Sequence, residues 1–127
     1  MYTDDNSANA MPAVKRLKEM GGINDYQYAQ QMARSAVERK GYGLRRAAEM
    51  MRQKGVPKNV IAAVLQPYEE TVPERLQQIL ERHYAEKLSD PSDRKMVERV
   101  KAALVRKGYN FSEIQAAVQR YWEETEP

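Results

Sequence analysis

Cysteine is absent from the 127-residue chain, and histidine, tryptophan and phenylalanine each occur once. Without thiols there is no disulfide framework, no thiol nucleophile and no zinc knuckle, and the lone His83 has no second imidazole with which to share a metal. No run of about 18 apolar residues is present to span a bilayer, and Asp4 and Asp5 break any signal-peptide pattern at the amino terminus. A cytoplasmic protein with no membrane partner is therefore expected. Ser, His and Asp form no triad signature, and Gly41-Tyr42-Gly43 lacks both the strand of a dinucleotide loop and the Gly-Lys-Ser/Thr end of a phosphate loop. Glu69-Glu70 and Glu123-Glu124 sit in a linker and at the terminus, where acid/base geometry is not held. The sequence thus displays no catalytic residue, no metal site and no cofactor site. Neither an enzyme nor a small-molecule substrate is expected.

What the chain has in excess is charge. Its 31% charged residues exceed the average of about 25%. The net charge of +3 is mild but unevenly placed: between Arg34 and Lys58 eight basic residues face two acidic ones, a local excess of six, which leaves the rest at −3. Such asymmetry suits a surface facing a polyanion, and it equally suits a solvated helix face. On charge alone the solvated face is the stronger reading.

Apolar spacing is helical throughout. Residues 1–10 are small and polar with no apolar period and read as a flexible tail. Met11, Val14, Leu17 and Met20 share one face of a short helix that Gly21-Gly22 stops. Asn24-Asp25 can cap a second helix with Ala29, Met32, Ala33, Ala36 and Val37 on its apolar face. Leu44, Ala47, Ala48 and Met51 form the next stripe, closed by Lys54-Gly55, where a glycine suits the left-handed cap. Pro57 opens a helix carrying Val60, Ile61, Val64 and Leu65, which Gln66-Pro67 closes. Thr71-Val72-Pro73-Glu74 has the form of a capping box before Leu76, Ile79, Leu80, His83, Tyr84 and Leu88. Asp90 to Asp93 and then Asn110 to Glu113 start two more, with Val97, Val100 and Leu104 on one and Ile114, Ala117, Val118, Tyr121 and Trp122 on the other. By this spacing His83 is a packed or edge histidine, and Tyr42, Tyr109 and Phe111 plug joints between helical units. The same three aromatics, beside turns, also suit stacking on unpaired bases, which is the weaker reading. No period-two run predicts a strand.

An internal repeat organises these helices. At an offset of 53 residues Leu44 falls on Val97, Met51 on Leu104, Lys54-Gly55 on Lys107-Gly108, Ile61 on Ile114 and Tyr68 on Tyr121. The expectation is an all-α fold of seven helices: a closing helix of a first repeat over 11–22, then three-helix bundles over 23–70 and 71–127 in an elongated curved array. Units of roughly 40 to 50 residues are near the limit of independent stability, so stacking on a neighbour is the natural remedy.

These features in this order resemble the RecX regulatory proteins of bacteria. The residues that carry the likeness are Asp25-Tyr26-Gln27-Tyr28-Ala29, Gly43-Leu44-Arg45-Arg46, Met51-Arg52-Gln53-Lys54-Gly55 and Val60 to Leu65, followed by Lys95, Val100, Leu104, Arg106-Lys107-Gly108-Tyr109, Phe111 and Ile114. The likeness covers about residues 12 to 122. It departs from the family in showing only the closing helix of the first of three repeats. What the resemblance implies is a regulator that lodges in the groove of a RecA recombinase filament on single-stranded DNA and limits its activity, with DNA phosphate as a further contact; a monomer is expected. The residues assigned to that contact are Arg34, Arg39, Lys40, Arg45, Arg46, Arg52 and Lys54. A stand-alone helical DNA-binding regulator and a helical scaffold for an acidic protein partner remain the alternatives.

Overall fold

The computed structural model describes residues 23–126, so the expected tail over 1–10 and the expected short helix over 11–22 lie outside the described residues. Among the described residues there is no strand. Six α-helices follow one another: α1 (Ile23–Arg34), α2 (Leu44–Gln53), α3 (Lys58–Leu65), α4 (Val72–Ile79), α5 (Arg94–Lys107) and α6 (Phe111–Thr125). Single π-helical turns, Ser35–Arg39 and Leu80–Tyr84, prolong α1 and α4, and a 3-10 helix, Gln66–Thr71, joins α3 to α4.

The helices enclose two apolar cores. In the first, Ala29, Ala33 and Ala36 recur at helical spacing with no exposed surface, so α1 lies close against α2 and α3 and packs on Met51, Ile61, Val64 and Leu65. In the second, α4, α5 and α6 bury larger side chains, among them Leu76, Leu80, Leu104, Ile114 and Tyr109. Leu44, at the start of α2, is half-buried and packs against both cores. The two bundles echo each other in their turns. Gly55 and Gly108 both have positive φ, 89° and 107°. Behind them Val56 N–H donates to the Met51 carbonyl and Tyr109 N–H to the Leu104 carbonyl, the same bond 53 residues apart. Tandem three-helix repeats are therefore visible in backbone geometry as well as in sequence.

Several local expectations are corrected. Gln66-Pro67 does close α3, whose last residue is Leu65 with Gln66 as its C-cap, but the chain stays helical beyond it: Pro67 falls in the opening turn of the 3-10 segment, where no N–H is needed. Thr71 is itself in helical conformation and makes no cap; its hydroxyl donates to the Tyr68 carbonyl (2.8 Å) and accepts from Arg75 (2.6 Å). The backbone is already helical at Ile23, so Asp25 lies inside the first turn of α1 and not ahead of it. His83 is exposed and not packed, because the wider π-helical turn rotates it off the Leu76–Leu80 stripe. Phe111 is 60% exposed and plugs no joint. By contrast Asp93 caps α5 by accepting from Met96 N–H (3.2 Å), and Asn110 with Glu113 forms a reciprocal capping box on α6.

Candidate functional site

The two bundles meet where the first turn of α2 faces the last turn of α5. Gly43 N–H donates to the Lys107 carbonyl (2.8 Å), and the Arg46 guanidinium donates to the Arg106 carbonyl (3.2 Å). An orphan backbone donor and an arginine side chain at one helix start thus satisfy orphan acceptors at another helix end. The approach is backbone to backbone: a Cβ on Gly43 would stand 2.4 Å from the carbonyl carbon and oxygen of Gly108, and one on Gly108 would stand 2.5 Å from Arg46 Cβ. The buried Tyr109 hydroxyl donates across the joint to the Gly41 carbonyl (3.0 Å). Burial pushes its pKa up to about 12, so it remains a neutral donor at physiological pH.

This joint opens into a cleft of about 170 Å³ with cations from both bundles. Arg39 and Lys40 enter from the end of α1, Arg75 and Arg82 from α4 and its π-helical turn, and Lys107 from α5, with His83 at the rim. Arg75, Ile79 and Arg82 are spaced four and then three apart, which places them on one line of the helix away from Leu76 and Leu80. Val37 and Ile79 give the cleft an apolar wall. Its one lining carboxylate, Glu38, is held by Arg34 outside it (3.5 Å). The Lys107 ammonium donates to the Lys40 carbonyl (3.4 Å), and the Arg75 guanidinium lies 5.0 Å from the Tyr68 ring centre with its buried Nε unpartnered. Burial first, then the neighbouring Glu38, raises the Tyr68 pKa.

The seven residues singled out from sequence separate into groups. Arg39 and Lys40 line the cleft. Arg46 adjoins them through Tyr42, whose ring takes the Arg46 guanidinium at 4.1 Å and the Lys40 ammonium at 5.8 Å. Arg45, next along α2, is exposed and forms no ion pair among the described residues. Arg52 and Lys54 lie at the far end of α2, on the order of 10 Å away at the rise of an α-helix. Arg52 is clamped by Glu49 (3.1 Å from Nε to Oε1), and that hydrogen bond holds the Glu49 carboxyl below its usual range. Arg34 is spent on Glu38. Arg75, Arg82 and Lys107 fall outside the basic run from Arg34 to Lys58, and His83 reads by its spacing as a packed or edge residue, so none of the four is among the seven. The readable signal was the repeat itself, since its Lys-Gly stop docks on the Gly-Leu-Arg-Arg start of the repeat before.

No group of three or more His, Asp or Glu among the described residues could hold a metal ion, and no helix among them is long and apolar enough to cross a membrane. Residues 24–65 match the sequence profile of the second three-helix domain of RecX, and residues 69–118 match that of the third. The chain belongs to the RecX family. The regulatory protein RecX of Mycolicibacterium vanbaalenii is 35% identical over 117 residues, covering 86% of this chain and 61% of that protein. Its counterpart in Mycolicibacterium smegmatis is 33% identical over 115 residues (87% and 60%), and that of Halorhodospira halophila 32% over 106 residues (84% and 64%). The chain spans about three fifths of the first two relatives. No solved structure gives a significant match. Membership of the RecX family supports a regulatory role. In RecX terms the joint described above lies between the second and third domains.

Proposed function

We propose that the chain binds a RecA recombinase filament assembled on single-stranded DNA and damps its activity, acting by contact without chemistry of its own. The observation that carries this reading is the inter-repeat cleft, where five Lys and Arg side chains from both bundles converge around one carboxylate that is already paired. Such a surface complements a groove lined by acidic protein and phosphate, and complementary charge steers the encounter. The contact set begins with Arg39, Lys40, Arg45 and Arg46 at the joint. Arg34, Arg52 and Lys54 extend it along the outer surface, where Arg34 and Arg52 must first give up their glutamates.

The test is the DNA-dependent ATPase of a recombinase, followed as this chain is added. The expected result is a dose-dependent fall in turnover that Arg45→Glu, Arg46→Glu and Arg52→Glu together abolish while helical content is kept. No change in ATPase with the unaltered chain overturns the proposal. Duplex binding with sequence preference and no effect on the recombinase would favour a stand-alone DNA-binding regulator.

A further inference from the structure

Like charges crowd the inter-repeat cleft with nothing to offset them. Arg39, Lys40, Arg75, Arg82 and Lys107 line a space of about 170 Å³, and none of the five forms an ion pair among the described residues. The one lining carboxylate, Glu38, is taken by Arg34 (3.5 Å). Two of the cations are fixed by neutral groups alone. The Arg75 guanidinium donates to the Thr71 hydroxyl (2.6 Å) and lies 5.0 Å from the Tyr68 ring centre, while its buried Nε lacks an acceptor. The Lys107 ammonium donates to the Lys40 carbonyl (3.4 Å) and stands 3.5 Å from the point that a Cβ on Gly41 would occupy, so a cation of the second bundle is held over a turn of the first. Arg39 and Arg82, one from each bundle, are exposed. Helix dipoles account for Arg39, Lys40 and Lys107, each at a helix end, but not for Arg75 in the first half of α4.

We propose that this cleft is a binding site for a small linear polyphosphate, a di- or triphosphate group free or carried by a nucleoside, which clasps the two bundles at their joint. The cations come from three elements and from both bundles, so they surround a compact space. A compact ligand with several charges and acceptor oxygens on all sides matches that arrangement. Phosphoryl oxygens meet both requirements, and guanidinium forks take them two at a time. An extended strand carries one charge per nucleotide, and an acidic peptide carries its charges on separate side chains; neither concentrates three or four in one small group. Val37 and Ile79 on the wall and the buried Nε of Arg75 keep water from part of the site, where a positive charge gains most from an incoming negative one. The joint itself is held by neutral bonds, Gly43 to Lys107 and Tyr109 to Gly41, while the cations of the two bundles repel across it. A polyanion turns that repulsion into attraction from both sides, so occupancy and stability are linked. The inference concerns the chain alone, without recombinase or nucleic acid, and goes beyond the filament reading.

The test is thermal unfolding of the whole chain, followed by circular dichroism as inorganic tripolyphosphate is added in EDTA, with sodium chloride holding ionic strength constant. Tm should rise saturably, by about 5 °C at ten times the half-saturating concentration. The double variant Arg39→Gln, Arg82→Gln should melt no lower than the unaltered chain when no polyphosphate is present, because repulsion is relieved, and should need at least tenfold more tripolyphosphate for the same rise. Residues that only supported the fold would instead lower the starting Tm. Lys58→Gln, exposed at the start of α3, should match the unaltered chain throughout. ATP compared with tripolyphosphate separates the two sources: tighter binding of ATP assigns the site to a nucleotide, and equal or weaker binding assigns it to the inorganic chain. No rise beyond the chloride control, an equal rise with citrate, or an undiminished response in the double variant overturns the inference. Such a failure with recombinase inhibition intact leaves the filament reading standing, and the expected response from a chain that leaves the recombinase ATPase untouched removes the filament reading alone.

Discussion

Replacing Gly43 by alanine should be among the most damaging small substitutions in the molecule, and its partner Gly41→Ala among the mild ones, although conformational rules rank them the other way. Gly41 has a φ of 72°, where a side chain is strained, but an added Cβ meets only the Lys107 ammonium at 3.5 Å and Ile79 Cδ1 at 3.9 Å. Its cost is the local strain alone, about 1–2 kcal/mol. Gly43 has an ordinary φ of −72°, open to any residue, yet its Cβ would lie 2.4 Å from backbone atoms of Gly108. That is about 1 Å short of ordinary carbon contact. Neither backbone can yield without lengthening the Gly43–Lys107 hydrogen bond and drawing the Tyr109 hydroxyl from Gly41. Overpacking of this kind costs roughly 1–3 kcal/mol, and each weakened hydrogen bond adds about 0.5–1.5 kcal/mol. We therefore expect a loss of about 2–6 kcal/mol, on the order of 10–20 °C in Tm for a chain of this size. Thermal unfolding followed by circular dichroism, run on both variants, decides the order. Should Gly43→Ala melt with the unaltered chain, or above Gly41→Ala, the backbone contact at the joint is not what holds the bundles together.

Leu104→Ala, at a position with no exposed surface, should cost about 3 kcal/mol by chemical denaturation, whereas Phe111→Ala, 60% exposed, should change stability by less than about 0.5 kcal/mol. Stability should also fall in alkali through Tyr109: burial holds its folded pKa at about 12, above the ordinary tyrosine value of 10.0, so its contribution is intact below pH 10 and is lost as pH rises toward 12. Denaturation at pH 9 and pH 11.5 should show that loss, and Tyr109→Phe should flatten it while costing about 1 kcal/mol at neutral pH for the unpaired Gly41 carbonyl. A pH profile indifferent to this substitution would contradict the assignment. Glu49→Gln should free Arg52 from its clamp and strengthen salt-sensitive filament binding; weaker binding would show that the pair, not the cation, makes the contact.

Helix ends and the repeat were legible because their signals are local. A glycine after a lysine announces a left-handed stop at Gly55 and Gly108, and an asparagine three residues before a glutamate announces the box at Asn110. The errors came where a local signal had two physical uses. Thr71 can cap or bond within a helix, and His83 keeps the spacing of a packed residue until a π-helical turn moves it. The cleft was half-legible. Arg39 and Lys40 were singled out from a run of charge, but Lys107 reaches the Lys40 carbonyl across 67 residues, and no periodic pattern encodes that meeting. It follows only from docking one repeat on the next, where Gly43 and Gly108 set the close backbone approach and Arg46 and Lys107 bond to carbonyls across it.

Co-sedimentation with a recombinase filament on single-stranded DNA tests the cleft most directly, comparing the unaltered chain with the double variant Arg39→Glu, Arg82→Glu. Both substituted positions are exposed and neither forms an ion pair among the described residues, so helical content and Tm should be preserved. The unaltered chain should pellet with the filament and the double variant should stay in the supernatant; a folded double variant that pellets as fully as the unaltered chain would contradict the central claim.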